Sequence, residues 1–126
     1  MVNNRVSYKG EKYRMNIIHK TIRRLGITSK YKGYFFLAEA VRLYMEIEER
    51  PVLITKDIYP CLSNKYKISI MNIEHDIRTI ISICWKKHSD TLMEMVGHSL
   101  ESKPTNREFV DMIAFYIREN DESNKK

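Results

Sequence analysis

The sequence predicts an all-α domain of about six helices, with the third and fourth joined as a helix-turn-helix. Three observations carry that expectation. Apolar residues recur three or four positions apart along most of the chain, the spacing that gathers side chains on one side of a helix. Helix punctuation at Gly26, Pro51, Ser69, Gly97 and the Thr105/Glu108 pair divides those runs into helix-length pieces. No stretch alternates apolar and polar residues convincingly enough to be a strand.

Residues 1–12 are polar and are expected to be a flexible N-terminal extension, followed by a single domain over 13–120 and a disordered tail over 121–126. The first helix is expected from about Tyr13 to Leu25, with Ile17, Ile18, Ile22 and Leu25 facing inward and Gly26 ending it. The second runs from Tyr34 to Glu49, buries Phe36, Leu37, Val41, Tyr44 and Met45, and is stopped by Pro51. In the third, Ile58, Leu62 and Tyr66 repeat at helical spacing. Pro60 is best tolerated where it opens that helix's main turn, because its missing N–H is not needed there. Lys67-Ile68-Ser69 breaks the period, and Ser69 is a good N-cap for a fourth helix over about 69–88. Its apolar stripe reads Ile70, Ile73, Ile77, Ile80, Ile81 and Cys84. Ser89 is expected to cap a short fifth helix carrying Leu92, Met93 and Val96, with Gly97 past its end. Thr105 and Glu108 have the spacing of a capping box for the last helix, which buries Phe109, Met112, Ile113, Tyr116 and Ile117.

Length and charge narrow the function classes. A chain of 126 residues with 43% hydrophobic content is long enough for one core. Its net charge of +6 is uneven: residues 1–50 carry 11 basic and 5 acidic groups, 51–88 carry 6 and 3, and 89–126 carry 5 and 8. A basic first two-thirds favours a polyanionic partner, since each neutralised phosphate releases counterions. The acidic last third is expected to point away from such a partner. No apolar run approaches the roughly 20 residues that span a membrane, and Met1-Val-Asn-Asn-Arg lacks the apolar core of a signal peptide. Cys61 and Cys84 are expected to be buried, reduced thiols, as in a bacterial-type cytoplasm.

The fourth helix carries the chemistry. Opposite its apolar stripe it presents Met71, Asn72, Glu74, His75, Arg78 and Thr79. Two helices joined by so short a turn, the second bearing that set of hydrogen-bonding groups, is how a helix-turn-helix offers a recognition helix to a DNA major groove. An ordinary helical hairpin with a solvated polar face fits the same pattern. Other features point to structure. Cys84 and His88 are four apart, a spacing that suits a metal, but two further ligands are missing nearby. Trp85, at the apolar edge, reads as a core anchor. Among Tyr31, Tyr34, Phe35 and Phe36, one of the two phenylalanines is core, and only the neighbouring Lys30 and Lys32 are expected near phosphate. The chain has no glycine-rich phosphate loop, no clustered carboxylates and no nucleophile beside a base, so neither an enzyme nor a cofactor is expected.

Particular words of the sequence recur in a known family. They are Lys32-Gly33-Tyr34, Glu39-Ala40-Val41, Ile54-Thr55-Lys56 with Tyr59-Pro60, Glu74 with Ile77-Arg78, Trp85, and Lys103-Pro104-Thr105-Asn106 with Glu108-Phe109. In that order they resemble the C-terminal DNA-binding effector domain of the stage-zero sporulation master response regulator of endospore-forming bacteria, over about Ile22 to Arg118. The resemblance implies six helices, a helix-turn-helix of the third and fourth, and binding to short DNA boxes near promoters. It also implies head-to-tail pairing on double-stranded DNA and contact with an RNA polymerase sigma factor. Met71, Asn72, Glu74, His75 and Arg78 are then the expected base readers. Lys30, Lys32, Lys56, Lys65, Lys67, Thr79 and Lys103 are the expected contacts to the DNA backbone.

Departures from the family pattern qualify this. Glu74 and Arg78 match its contacting positions, but His75 and Asn72 stand where it has arginines and Met71 where it has a serine. Arginine grips guanine O6 and N7 with two bonds, whereas histidine offers one and asparagine suits adenine, so a different box is expected. The loop before Lys103 looks shorter than the family's. Only about a dozen residues precede the first helix, so no receiver domain, and no control by its phosphorylation, is expected. Two readings follow: a stand-alone sequence-specific regulator, or a non-enzymatic interaction protein that modulates a full-length regulator or RNA polymerase through protein contacts.

Overall fold

Helices make up all the regular structure of residues 4–47 and 50–120, which the computed structural model describes. In chain order they are α1 (Asn4–Arg24), α2 (Tyr34–Glu46), a π-helical turn (Ile54–Ile58), α3 (Tyr59–Tyr66), α4 (Ile70–Val96) and α5 (Asn106–Asn120). Helix α2 packs against α1, α3, α4 and α5 and is the centre of the bundle. The core is correspondingly contributed by every element: Ile18 and Ile22 of α1, Leu37 and Val41 of α2, Leu62 of α3, Ile73 and Ile77 of α4, Phe109 and Ile113 of α5. Each such side chain, fully withdrawn from water, stabilises the fold by about 1.5–3 kcal/mol. Polar contacts fix the rotation of α5 against its neighbours. Arg24 donates to the Tyr116 hydroxyl at 2.5 Å, Tyr44 donates to the Asp111 carboxylate, and Arg118 donates to the Met45 carbonyl at 3.1 Å.

Turn chemistry explains where most helices stop. Gly26 has φ +82°; its N–H donates to the Arg23 carbonyl at 2.9 Å and that of Ile27 to the Ile22 carbonyl at 3.4 Å. This is the paired-bond termination that a left-handed residue permits, and it closes with Ile22 and Ile27 both buried. Gly97 ends α4 in the same left-handed region, its N–H on the Met93 carbonyl at 2.8 Å. The turn from α3 to α4 uses Lys67 instead, at φ 58° and ψ 43°, although it carries a side chain. Ser69 caps α4 by accepting from the Asn72 N–H at 3.1 Å. Thr105 and Glu108 form the reciprocal cap of α5 at 2.9 and 3.1 Å.

Several sequence expectations are corrected. Helix α1 begins at Asn4 rather than Tyr13, so most of the stretch expected to be flexible is helical. Once nucleated by its buried half, a helix gains a hydrogen bond for each residue added, and Lys, Glu and Arg are good helix formers. Residues 1–3, the Glu48–Glu49 end expected for the second helix, and the tail over 121–126 lie outside the described residues. Helix α2 ends at Glu46, with Ile47 extended at φ −96° and ψ 104°, where Arg118 takes up the Met45 carbonyl. Tyr44 is half-buried, its ring in the core margin and its hydroxyl on Asp111. The boundary expected between a fourth and a fifth helix is present as a kink within α4, where His88 leaves helical geometry at φ −136° and ψ 29°. Pro60 lies in the first turn of α3, as its missing N–H requires. Cys61, expected to be buried, is exposed, while Cys84 is fully buried.

Candidate nucleic-acid interface

Helix α4 is long, and only one side of it meets the core. Ile73, Ile77, Ile80, Ile81 and Cys84 are buried, but Ile70, in the first turn, is 40% exposed. With about 100° of rotation per residue, Met71, Asn72, Arg78 and Thr79 all fall within about 60° of His75. All five are exposed, Met71 most of all at 76%. Glu74 and Asp76 mark the two margins of that face. The structure therefore brings the expected base readers onto one continuous strip, with Glu74 at its edge.

Each margin is held by a different part of the chain. On one, Gly33 lies against α4 so closely that a β-carbon would be 2.7 Å from the Asp76 carbonyl oxygen. That contact carries the turn bearing Lys30 and Lys32 alongside the strip. On the other, the Asn106 side-chain amide donates to the Glu74 carbonyl at 3.1 Å and to the Tyr59 hydroxyl at 2.9 Å. One amide thus ties α5 to both α3 and α4. Tyr59 is 2% exposed, and burial raises its phenol above the usual range.

The strip itself is loosely engaged. Arg78 pairs with Glu74 at 3.1 Å, an i,i+4 pair at the surface worth only about 0.2–0.5 kcal/mol and easily exchanged for a phosphate or base. The Thr79 hydroxyl already gives its proton to the His75 carbonyl at 3.0 Å, so it offers a ligand lone pairs rather than a donor.

The lysines separate into two groups. Lys32, Lys56 and Lys67 are exposed, and Lys30 lies over the Tyr31 ring, 5.3 Å from its centroid. Lys103 donates one of its three protons to the Ser82 hydroxyl at 2.8 Å, which moors the loop before α5 to the strip. Lys65 is not brought to this face. It meets Glu39 of α2 at 2.9 Å, in a network that continues through Arg42 to Glu46. Burial works against the charge on Glu39, but the bonds from Lys65 and Arg42 prevail and hold its carboxyl below the usual range.

Sequence reasoning missed three residues here. Asn106 belongs to a quoted motif, but its partners are remote in sequence. Arg107 follows it and lines the same margin as Arg78. Lys86, exposed and eleven positions beyond His75, carries the strip to about 16 Å from that residue at 1.5 Å per residue. Continuing the strip's own period would have found it. Cys84 and His88 do not converge. The Cys84 thiol is pushed up to about 11 by burial, and the His88 ring lies on Gly26, where a β-carbon would be 2.3 Å from Nε2.

Among the described residues no helix is long and apolar enough to cross a membrane. A face of hydrogen-bonding side chains on a helix entered through a three-residue turn, with basic side chains on both margins, is the geometry of a DNA-binding module. Comparison with known families agrees: residues 18–117 match the model described as sporulation initiation factor Spo0A C terminal, and the chain belongs to that family of DNA-binding effector domains.

Proposed function

We propose that this protein is a sequence-specific transcription regulator that lays the first part of α4, residues 69–88, in the major groove. Met71, Asn72, Glu74, His75 and Arg78 read base edges. The observation that carries the proposal is the shared outward strip of α4, with Met71, Asn72, His75 and Arg78 exposed and Glu74 at its margin. A major groove about 12 Å wide admits one helix, so the margins of that helix face the two phosphate walls. Lys30 and Lys32 on one margin and Lys103 on the other, with Lys56 and Lys67 near the turn, are suited to those walls. Lys65 is left out of this set because its ammonium already meets Glu39. Thr79 is left out because its proton is given to His75. Met71 offers an apolar contact to a thymine methyl, and Asn72 can bind adenine through two bonds.

Protein contacts belong to the opposite end of the charge distribution. On α5, Glu108, Asp111, Phe115 and Glu119 share one exposed line, with Phe115 61% exposed. That surface suits a second copy on neighbouring DNA or an RNA polymerase sigma factor. Paired copies on one face of the duplex require boxes about 10–10.5 base pairs apart.

The test is a randomised-site selection on the wild type and on His75→Arg. The substitution supplies a two-bond guanine reader, so preference at one position should move towards guanine by about 1–3 kcal/mol. Identical preferred sites from both proteins would mean that α4 does not read bases.

A further inference from the structure

The margin of α4 held by Asn106 contains a pocket of about 400 Å³ between the π-helical turn, the loop before α5 and the first turn of α5. Three cationic side chains from three elements line it: Arg78, Lys103 and Arg107. The carboxylate in its wall is that of Glu74, which is paired with Arg78 at 3.1 Å. Three cations against one carboxylate leave an excess of two positive charges. The floor is held in place, since Asn106 bonds both Tyr59 and the Glu74 carbonyl, and Lys103 is moored on Ser82. Thr55 also lines it.

We infer that this pocket seats a phosphodiester group of the DNA backbone, with Arg107 as its principal cation. The inference rests on the major-groove reading above and adds to it a site for one strand's backbone. Position favours DNA over a free anion. Arg78 belongs both to the pocket and to the reading strip, so a helix lying in the groove brings the pocket against the phosphate wall on that side. A phosphate held there fixes how far α4 enters and at what rotation, while carrying no sequence information of its own.

The experiment measures affinity against salt, from 50 to 200 mM potassium chloride, for wild type, Arg107→Ala and Arg107→Lys. Each protein is tested on a duplex carrying the selected site and on a scrambled duplex. Arg107→Ala should reduce the slope of log affinity against log salt by about 0.9 on both duplexes, without changing the preferred sequence. Arg107→Lys should keep the wild-type slope, because the charge is retained. An unchanged slope for Arg107→Ala, or a changed sequence preference without a change in slope, overturns the inference. Arg107-dependent, saturable binding of inorganic phosphate to the DNA-free protein, with the DNA slope unchanged, overturns it in favour of a free-anion site. A wild type that binds neither duplex at low salt sinks the reading of function along with this site. A wild type that binds while Arg107→Ala behaves identically sinks this site alone.

Discussion

Gly33 and Asp76 touch backbone to backbone: a β-carbon on Gly33 would be 2.7 Å from the Asp76 carbonyl oxygen and 2.9 Å from its carbon. The glycine is not there for its dihedral angles, since φ −84° and ψ 3° are open to any residue. It is there because the start of α2 must lie directly on α4.

Gly33→Ala should therefore destabilise the fold by about 1–3 kcal/mol, the range for overpacking a site that cannot yield easily. It should also weaken DNA binding, by moving Lys30 and Lys32 away from the margin of α4. Gly10→Ala makes the contrast, because a β-carbon there meets nothing within 4 Å and the residue lies inside α1. That change should stabilise by about 0.5–1 kcal/mol. Urea unfolding of both variants checks the pair; equal effects would refute the contact argument.

Lys67 is the one residue other than glycine with positive φ among the described residues. Left-handed backbone costs a side-chain-bearing residue about 1–2 kcal/mol, and glycine gives back about 0.5–1 kcal/mol through its freer unfolded chain. Lys67→Gly should then raise stability by up to about 1 kcal/mol while lowering the salt slope of DNA binding by about 0.9. Denaturation and a salt titration on the same preparation read the two effects. A variant that is both less stable and unaltered in slope would contradict both roles given to this lysine.

Asp57 accepts from the Arg50 guanidinium at 2.8 and 3.1 Å and from the Leu53 N–H at 2.8 Å. Arg50 first, then the backbone N–H, holds its carboxyl at about 2, down from an ordinary 3.8. The folded value lies below the unfolded one, so the stability these bonds contribute is fully present above about pH 4. It is lost as pH falls towards the folded value. Glu39 acts in the same direction through Lys65 and Arg42. Asp57→Asn should flatten the decline in stability between about pH 4 and 2, measured by urea unfolding across that range. A decline as steep as that of the wild type would show that Asp57 contributes none of it.

What the sequence made legible was mostly local. The Ser69 cap and the Thr105/Glu108 box place donor and acceptor three residues apart, so reading along the chain finds them. The exposed strip of α4 follows from one helical period. Asn106 and Tyr59 are 47 positions apart, and nothing in the wording of either segment announces their bond. Charge alone could not show that Lys65 is already matched to Glu39, 26 positions away. Ile70 obeys the period of the buried stripe yet is 40% exposed, because a period assigns a side of the helix and not how much of each residue is covered. At His88 the polar run Lys86-Lys87-His88-Ser89-Asp90 reads as a boundary, and the backbone breaks from helical geometry at that residue before a further helical segment follows.

The bonds of Asn106 and the backbone contact at Gly33 grip α4 from opposite margins. A helix held on both sides cannot roll to follow a base sequence that fits it poorly. Little ordering entropy remains to be lost on the protein side when it binds, which is the advantage of preorganisation. Any misfit must then be absorbed by bending or twisting of the duplex. Flexible pyrimidine–purine steps beside the box should therefore strengthen binding at positions that no side chain touches.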